Sequence, residues 1–363
     1  MAAFCGFKPR SKCLQSCLPL VNQRCPKLCP ANEENIAKAA GILREGGIAA
    51  FPTETVYGLG ADIFNTTALA RVFEVKKRPF FDPLIAHIAG TPDLASLIEF
   101  SRLSETGRRL LDELAKAFWP GPLTLVLPKK AAVPGLATAG LDTVAVRLPA
   151  NAIAQKLISL TGSVIAAPSA NPFGRLSPTR AEHVASGLGN AVDIILDGGA
   201  AEIGVESTVL DISGEIPRIL RFGGINIEDI ERVTGRLDLM RKAETCASPG
   251  LSPSHYTPKT PCVLFKRGNK IDSFSDPAAY VFFNRASLGR AAPADNFFFL
   301  SEEGSLREAA SNLFYTLHEI DKLGFEVIFA EEAPETGLGR AINDRLGRAA
   351  EKKRKIIKKI PQK

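Results

Sequence analysis

Along residues 32–236, stretches in which apolar residues recur with the period of a helix are followed by stretches with the pattern of a strand, and this order repeats. Asn32 is a good N-cap for a first helix, which carries one apolar face and ends at Gly46-Gly47. Residues 48–51 are then typical of a short buried strand. Further helices are predicted at Thr67–Val75, Arg102–Phe118, Ala152–Leu160, Arg180–Ser186 and Ile227–Val233, and further strands at Leu84–Ile88, Leu123–Leu127, Thr143–Leu148, Val164–Ala167, Ile194–Leu196 and Thr208–Ile212. This order predicts an α/β domain over residues 32–236.

The pattern stops over residues 237–261, where Ser, Pro and Gly dominate the stretch 248–254 and indicate a linker. A second series follows, with strands predicted at Cys262–Phe265, Tyr280–Phe283, Phe297–Phe299 and Val327–Phe329 and helices at Leu306–Lys322 and Ala341–Ala350. We expect a smaller α/β domain with a mainly parallel sheet over residues 262–350.

The positive charge of the chain is concentrated at its two ends. Residues 1–31 carry +5 and residues 351–363 carry +6, so the rest carries −5 in a chain of net charge +6. Basic ends of this kind are either solvated and flexible or in weak contact with RNA. The basic character of the chain therefore belongs to its two ends and not to the folded part.

Five of the seven cysteines lie in the first 29 residues. Their C-x3-C spacing matches no zinc pattern, so we predict no metal site there. Residues 1–31 are expected to form a leader without a fold, which lacks the apolar core of a secretory signal and only faintly resembles a transit peptide. Cys246 and Cys262 give no disulfide framework, and no apolar run approaches the roughly 18–20 residues of a membrane span. We expect a cytoplasmic protein.

Four polar loops interrupt the α/β pattern where strands end, at residues 52–60, 76–84, 167–179 and 204–211. In open α/β sheets, ligands bind at such strand ends. Glycines in the first loop allow a ligand to approach the backbone, although turn geometry alone also explains them. The loops together predict one binding site.

The candidate ligand-binding residues of these loops and of the neighbouring strands include several cations and one histidine. A helix dipole explains one or two of the adjacent Lys76, Lys77 and Arg78, whereas three favour a polyphosphate clamp. Arg147 lies within an apolar strand, and a buried arginine is rare unless it is paired or bound to a ligand. His87, also within a strand, is more often a core residue than a ligand contact. Without a Walker A motif or a Ser/His/Asp triad, the residues alone predict a site for a nucleotide and a small polar partner.

Several motifs, taken in order, resemble those of the YrdC-like threonylcarbamoyl-AMP synthase family. They are Pro52-Thr-Glu-Thr-Val-Tyr-Gly-Leu-Gly60, Lys76-x-Arg-Pro79, Pro83-Leu84, Trp119-Pro-Gly-Pro-Leu-Thr124, Pro168-Ser-Ala-Asn171, Ser177-Pro-Thr179 and Glu206-Ser-Thr-Val209. The stretches Ser254-His-Tyr-x-Pro258 and Gly337-Leu-Gly-x-Ala-Ile-Asn-Asp-Arg-Leu346 resemble the long form of the family, in which a linker and an accessory domain follow the catalytic one.

The resemblance implies a twisted mixed sheet with flanking helices around a concave cavity. It implies synthesis of L-threonylcarbamoyl-AMP from L-threonine, bicarbonate and ATP, with Mg²⁺ accompanying ATP and a partner transferase that modifies tRNA. Residues matching threonine contacts are Thr55, His87, Arg147, Ala167 and Ser207. Residues matching ATP contacts are Lys76, Arg78, Asp82, Thr143, Ser169, Asn171, Ser177, Arg221 and Tyr256, the last in a linker that closes over the nucleotide. Lys76 and Arg78 are also the predicted catalytic residues, because they would stabilise the leaving pyrophosphate.

Asp82 departs from the family, which commonly has Asn before Pro-Leu. A carboxylate beside triphosphate is repulsive unless Mg²⁺ bridges it or Lys77 neutralises it. Two other functions stay open on the residues alone. One is a non-catalytic RNA-binding module, which the basic ends favour and the absence of aromatic platforms disfavours. The other is a carbamoyl-transfer accessory, whose usual zinc-finger-like modules are absent from the sequence.

Overall fold

Two β-sheets organise the chain in a computed structural model that describes residues 28–239, 256–268, 277–288 and 294–351. The strands are β1 Leu28–Pro30, β2 Ala49–Phe51, β3 Gly58–Asp62, β4 Ile85–His87, β5 Leu123–Pro128, β6 Thr143–Arg147, β7 Ile165–Ala166, β8 Ile194–Asp197, β9 Thr208–Asp211, β10 Arg218–Arg221, β11 Asp238–Leu239, β12 Cys262–Phe265, β13 Ala278–Asn284, β14 Phe297–Ser301 and β15 Val327–Glu331. The helices are α1 Glu33–Arg44, α2 Thr66–Lys76, α3 Leu94–Leu97, α4 Glu105–Phe118, α5 Gly135–Thr138, α6 Ala152–Thr161, α7 Ala181–Leu188, α8 Ile227–Thr234, α9 Leu306–Leu323 and α10 Gly339–Glu351.

The larger sheet contains β1 to β11 in the order β1-β8-β2-β3-β7-β4-β6-β5-β9-β10-β11. It is mixed, since β4 and β6 run parallel whereas β5 and β6 run antiparallel. The helices bury their apolar faces against it in two clusters, one built with α1 and α6 and the other with α2 and α4. The expected mixed sheet with flanking helices is confirmed.

The smaller sheet has the order β12-β15-β13-β14, and all its neighbouring strands are parallel. Helices α9 and α10 contribute Leu313, Phe314 and Leu346 to its core. The same apolar cluster also takes in Val56 and Val205 from the larger unit. The two units therefore share part of one core.

Three local predictions were wrong. The leader was expected to have no fold through residue 31, yet Leu28–Pro30 forms β1, because the open edge of the sheet offers β8 as a parallel partner. The loop predicted at residues 52–60 stops earlier, because Gly58–Asp62 forms β3, which pairs with β2 and β7 on its two sides. The fourth helix of the structure begins at Glu105 rather than Arg102, since the side chain of Ser104 caps it.

Among the described helices, none combines the length and the apolar character that a membrane crossing requires. Residues 1–27, most of the linker and the basic tail from 352 onward lie outside the described residues, and so do five of the seven cysteines.

Candidate active site

A cleft of about 500 Å³, counted with its open mouth, lies where several strands of the larger sheet end. The parallel register of β4 and β6 places His87 directly beside Arg147 at its edge. Nine of the predicted site residues line it, namely Thr55, Arg78, His87, Arg147, Ala167, Ser169, Ser207, Arg221 and Tyr256. Five others do not: Lys76, Asp82, Thr143, Asn171 and Ser177. The structure therefore gathers most of the predicted residues around one space.

Arg147 is buried and held from three directions. Its Nε donates to the carbonyl oxygen of Gly121 over 3.2 Å, Nη1 to Thr55 Oγ1 over 2.9 Å and Nη2 to Glu54 Oε1 over 2.6 Å. Burial on its own raises the pKa of Glu54, but the charge and hydrogen bond of Arg147 bring that pKa below its ordinary value. The carboxylate is therefore ionised at neutral pH, and the guanidinium has a fixed orientation.

The hydroxyls of the first loop are hydrogen-bonded to each other. Thr53 donates to the carbonyl oxygen of Val56 over 2.7 Å, and its Oγ1 lies 2.8 Å from Thr55 Oγ1. Thr53 Oγ1 also accepts from the backbone N–H groups of Thr55 and Val56, each over 3.2 Å. Thr55 Oγ1 accepts from Arg147, so the two hydroxyls and the guanidinium form one hydrogen-bonded group.

His87 is buried beside this group. Its Nδ1 donates to the carbonyl oxygen of Ile85 over 3.1 Å. Burial, together with the charge of Arg147, lowers the pKa of His87 to about 3. The imidazole is therefore neutral at pH 7 and serves as a hydrogen-bonding group rather than as a cation.

Three adjacent cations at the end of α2 take different positions. Arg78 faces the cleft, and its guanidinium binds Asp82 Oδ1 over 2.9 Å and the carbonyl oxygen of Pro83 over 2.8 Å. Lys77 adopts a left-handed conformation at the helix C-cap, with φ of 52°, and is exposed. Asp82 is therefore neutralised by Arg78 rather than by Lys77.

Lys76 supports the loop of residues 168–179. Its buried Nζ donates to the carbonyl oxygens of Ser169 and Asn171, and burial lowers its pKa well below the usual value. The side chain of Asn171 donates to the carbonyl oxygen of Arg175 over 2.9 Å and closes the same loop. The predicted contacts of both residues with ATP stay predictions, because neither side chain lines the cleft in this structure.

Ser207 and Arg221 form a second polar group of the cleft. Ser207 Oγ lies 2.7 Å from Thr124 Oγ1 and accepts a hydrogen bond from Arg221 Nη2 over 3.0 Å. Arg221 is also held by the carbonyl oxygen of Ser207. Thr143, by contrast, lies at the start of β6, four residues or roughly 13 Å along the strand from Arg147.

Glu206 is a cleft residue that the sequence analysis missed as a site residue. Ser177 donates its hydroxyl proton to Glu206 Oε1, and Arg345 Nε donates to Oε2 over 2.9 Å. The motif Glu206-Ser-Thr-Val209 places this carboxylate next to Ser207, but the sequence alone does not indicate its distant partner Arg345. Glu54, which orients Arg147, was missed in the same way.

Tyr256 closes one side of the cleft from the linker. It is buried, has φ of 63° and packs on Phe314 at 5.5 Å between ring centroids. The next residue, Thr257, donates its backbone N–H to the carbonyl oxygen of Gly174 over 2.8 Å. The end of the linker is thereby docked on the loop of residues 168–179.

Comparisons with known proteins cover almost all of this architecture. Residues 41–223 match a family model described as "Telomere recombination", and residues 225–351 match one described as "Threonylcarbamoyl-AMP synthase, C-terminal domain". The threonylcarbamoyl-AMP synthase of Pyrococcus abyssi is 43% identical over 88% of this chain and 94% of its own length. That of Bacillus subtilis is 41% identical over 88% of this chain and 94% of its own length.

A solved structure agrees. The crystal structure of Pyrococcus abyssi Sua5 complexed with L-threonine superimposes with a TM-score of 0.78 at 40% identity, covering 90% of this chain and 96% of that one. Because it covers 90% of this chain, the superposition takes in both the larger and the smaller unit. The chain belongs to the threonylcarbamoyl-AMP synthase family, in its long form with the C-terminal domain.

Proposed function

We propose that the cleft makes L-threonylcarbamoyl-AMP from L-threonine, bicarbonate and ATP, with release of pyrophosphate. The observation that carries this proposal is the division of one cleft into two polar groups. One surrounds Arg147, and the other contains Arg78 and Arg221. The names of the relatives and the threonine complex of the Pyrococcus abyssi protein support the same reaction.

L-Threonine is proposed to bind at Arg147. Three of the five N–H groups of this side chain are used by Gly121, Thr55 and Glu54, which leaves two for the substrate carboxylate. Thr55 and Ser207 offer oxygens, and neutral His87 adds no charge that would repel the substrate amine. Ala167, which lines the cleft, would contact the aliphatic part of the substrate.

ATP is proposed to bind along Arg78, Ser169, Arg221 and the ring of Tyr256. Arg78 and Arg221 are buried cations, and a desolvated cation stabilises phosphate charge more than a solvated one. Lys76 and Asn171 would act on the nucleotide through the loop that they hold. Asp82, already paired with Arg78, would lower the net charge of this group without facing the phosphates.

The reaction then proceeds in two balanced steps. The free amine of threonine attacks the carbon of bicarbonate, forms the N–C bond of a carbamate and releases water. A carbamate oxygen attacks the α-phosphorus of ATP, forms the new O–P bond, and the bond to pyrophosphate breaks. The protein supplies no nucleophile, and its work is to orient the reactants and to stabilise the leaving charge through Arg78.

Mg²⁺ is proposed to arrive with ATP. The carboxylate that lines the cleft, Glu206, already pairs with Arg345, and Glu54, next to the cleft residue Thr55, pairs with Arg147. No cluster of three or more His, Cys, Asp or Glu side chains that could hold a metal occurs among the described residues. The ion fits oxygens of the triphosphate, where it would neutralise phosphate charge.

The product is a reactive mixed anhydride, which a partner transferase is proposed to use to modify tRNA in the cytoplasm. Contact of RNA with the basic ends stays a prediction, because residues 1–27 and 352–363 lie outside the described residues. Removing both ends should abolish any RNA binding and leave pyrophosphate release unchanged.

The reaction is tested by measuring pyrophosphate release with each of the three substrates omitted in turn. We expect release only when all three are present, and release without threonine would reject the substrate assignment. Ser207→Ala should raise the threonine requirement more than the ATP requirement, because the hydroxyl of Ser207 is proposed to face threonine, whereas Arg221 keeps the carbonyl oxygen of residue 207 as its partner. Equal losses for both substrates would show that the Ser207 hydroxyl is structural.

A further inference from the structure

One buried arginine links the smaller unit to the cleft. Arg345 of α10 is 1% exposed, and its Nε donates to Glu206 Oε2 over 2.9 Å. Its guanidinium carbon lies 5.1 Å from the centroid of the Tyr256 ring, within the range of a cation–π contact. Both partners line the cleft, whereas Arg345 itself belongs to the unit beyond the linker.

The contacts of Arg345 form a connected group. Glu206 receives Arg345 on one carboxylate oxygen and the hydroxyl of Ser177 on the other. The ring of Tyr256 contacts both the guanidinium and Phe314 of α9. A change in the position of Arg345 would therefore alter the contacts of both Glu206 and Tyr256, which line the cleft.

Stability alone does not account for such a pair. Removing two charges from water is costly, and an apolar pair of similar size often stabilises a core as well or better. The pair borders an apolar cluster in which Tyr256 packs with Val56, Val205 and Leu346, and Arg345 also donates to Asp344 Oδ2 over 2.8 Å. A charged pair retained in this cluster fixes the orientation of Glu206, and it compensates a negative charge next to the proposed nucleotide.

We propose that Arg345 is a positioning residue for the reaction, by which the C-terminal domain completes the nucleotide side of the cleft. It neutralises Glu206 and keeps the Tyr256 ring in place beside the cleft. This inference rests on the proposed binding of ATP beside Tyr256. It assigns the C-terminal domain a direct part in the active site, through one side chain.

The chain offers a matched control. Arg340, five residues earlier on the same helix, binds Glu228 of the larger unit over 2.5 Å. This pair joins the same two units, but it is partly exposed and Glu228 does not line the cleft. Arg340→Ala should therefore leave the Michaelis constants for ATP and threonine within about twofold of wild type, since surface pairs contribute little.

The test compares Arg345→Lys and Arg345→Met with Arg340→Ala in the full chain. We expect both Arg345 variants to raise the Michaelis constant for ATP at least tenfold and to leave the dissociation constant of threonine, measured by calorimetry, within about threefold. Lysine keeps the charge but lacks the planar fork, so it should not rescue the ATP constant. Unchanged ATP constants in Arg345→Lys, or equal losses for both substrates, would overturn the proposal.

A double variant covers the case in which the single variants do not fold. Arg345→Met with Glu206→Gln removes both charges of this pair, and Asp344, the other carboxylate bound to Arg345, keeps Arg348 as a partner. The double variant should therefore restore the thermal midpoint while the ATP constant stays raised. A double variant that folds with a wild-type ATP constant, or a set in which no Arg345 variant folds, would make Arg345 purely structural. Wild-type protein that releases no pyrophosphate would instead reject the proposed function.

Discussion

Glu54 and Arg147 form a buried ion pair, with 2.6 Å between Oε1 and Nη2 and both side chains about 5% exposed or less. The pair orients the guanidinium that is proposed to bind threonine. Glu54→Ala should lower the free energy of unfolding by about 3–5 kcal/mol, because the positive charge of Arg147 would stay buried without its partner. It should also weaken threonine binding, since Arg147 loses its fixed orientation.

Chemical denaturation and calorimetry with threonine measure the two effects. Glu113→Ala is the control, because its pair with Arg109 is exposed and should contribute less than about 1 kcal/mol. Equal stability losses in the two variants would contradict a special contribution of the buried pair.

Arg78→Ala should raise the ATP requirement steeply, because Arg78 is the cation of its cluster that faces the cleft. A desolvated charged contact contributes on the order of 2–5 kcal/mol, which corresponds to about 30-fold to a few thousand-fold in the Michaelis constant. Lys77→Ala, which removes the exposed neighbour, should change that constant less than about twofold. A larger effect at Lys77 than at Arg78 would contradict the arrangement of the cluster.

The variant Lys76→Met tests whether Lys76 supports the loop of residues 168–179 or contacts the phosphates of ATP. Loss of the amino group leaves the carbonyl oxygens of Ser169 and Asn171 without their donor, at a cost of about 1–3 kcal/mol for each buried group. We expect faster hydrogen exchange over residues 168–179 and a lower thermal midpoint. Unchanged exchange with a raised ATP constant would show instead that Lys76 contacts the nucleotide directly.

Most of the elements follow from local apolar patterns, and the exceptions have physical causes. The strand predicted at Thr143–Leu148 is β6, because the apolar and β-branched run Val144–Val146 favours a buried strand even with Arg147 after it. Strand β3 could not be predicted, because two glycines weaken its strand propensity and only its pairing with β2 and β7 stabilises it.

The contacts within the site were harder to predict from the sequence, because the residues that pair there are distant in the chain. Glu54 and Arg147 are 93 residues apart, and Glu206 and Arg345 are 139 apart. No local pattern specifies which carboxylate pairs with which arginine. The basic cluster at the end of α2 was predicted as a unit, but the left-handed cap at Lys77 decides which of its cations reaches the cleft.

Gly60→Ala should destabilise the larger sheet. A Cβ at this position would lie 2.6 Å from Ile165 Cγ2 and 2.8 Å from Phe51 Cε1, so buried neighbours would have to move. Overpacking of this kind costs about 1–3 kcal/mol. Gly135→Ala is the control, because nothing lies within 4 Å of its added Cβ. Thermal unfolding should show a clear loss at Gly60 and none at Gly135.

Acidification should destabilise the fold through histidines that are buried in the neutral state. Burial lowers the pKa of His87 and of His183 to about 3, whereas an unfolded chain has a value near 6.5. Between about pH 6.5 and 3 the unfolded chain therefore binds protons that the native chain does not, so stability rises with pH over this window and levels off above it. Once the unfolded chain is fully protonated, His87 contributes a slope of about 1.4 kcal/mol per pH unit.

Denaturant unfolding at pH 7, 6 and 5 measures this dependence. We expect His87→Gln to show a smaller slope of the free energy of unfolding against pH. Glutamine does not titrate, so residue 87 no longer binds a proton in the unfolded chain that it excludes in the native one. A slope that is the same in wild type and His87→Gln would show that His87 takes up a proton in the native cleft as readily as in the unfolded chain. In that case His87 would carry a positive charge at mildly acidic pH and would repel the amine of threonine, so threonine binding should weaken over the same pH range.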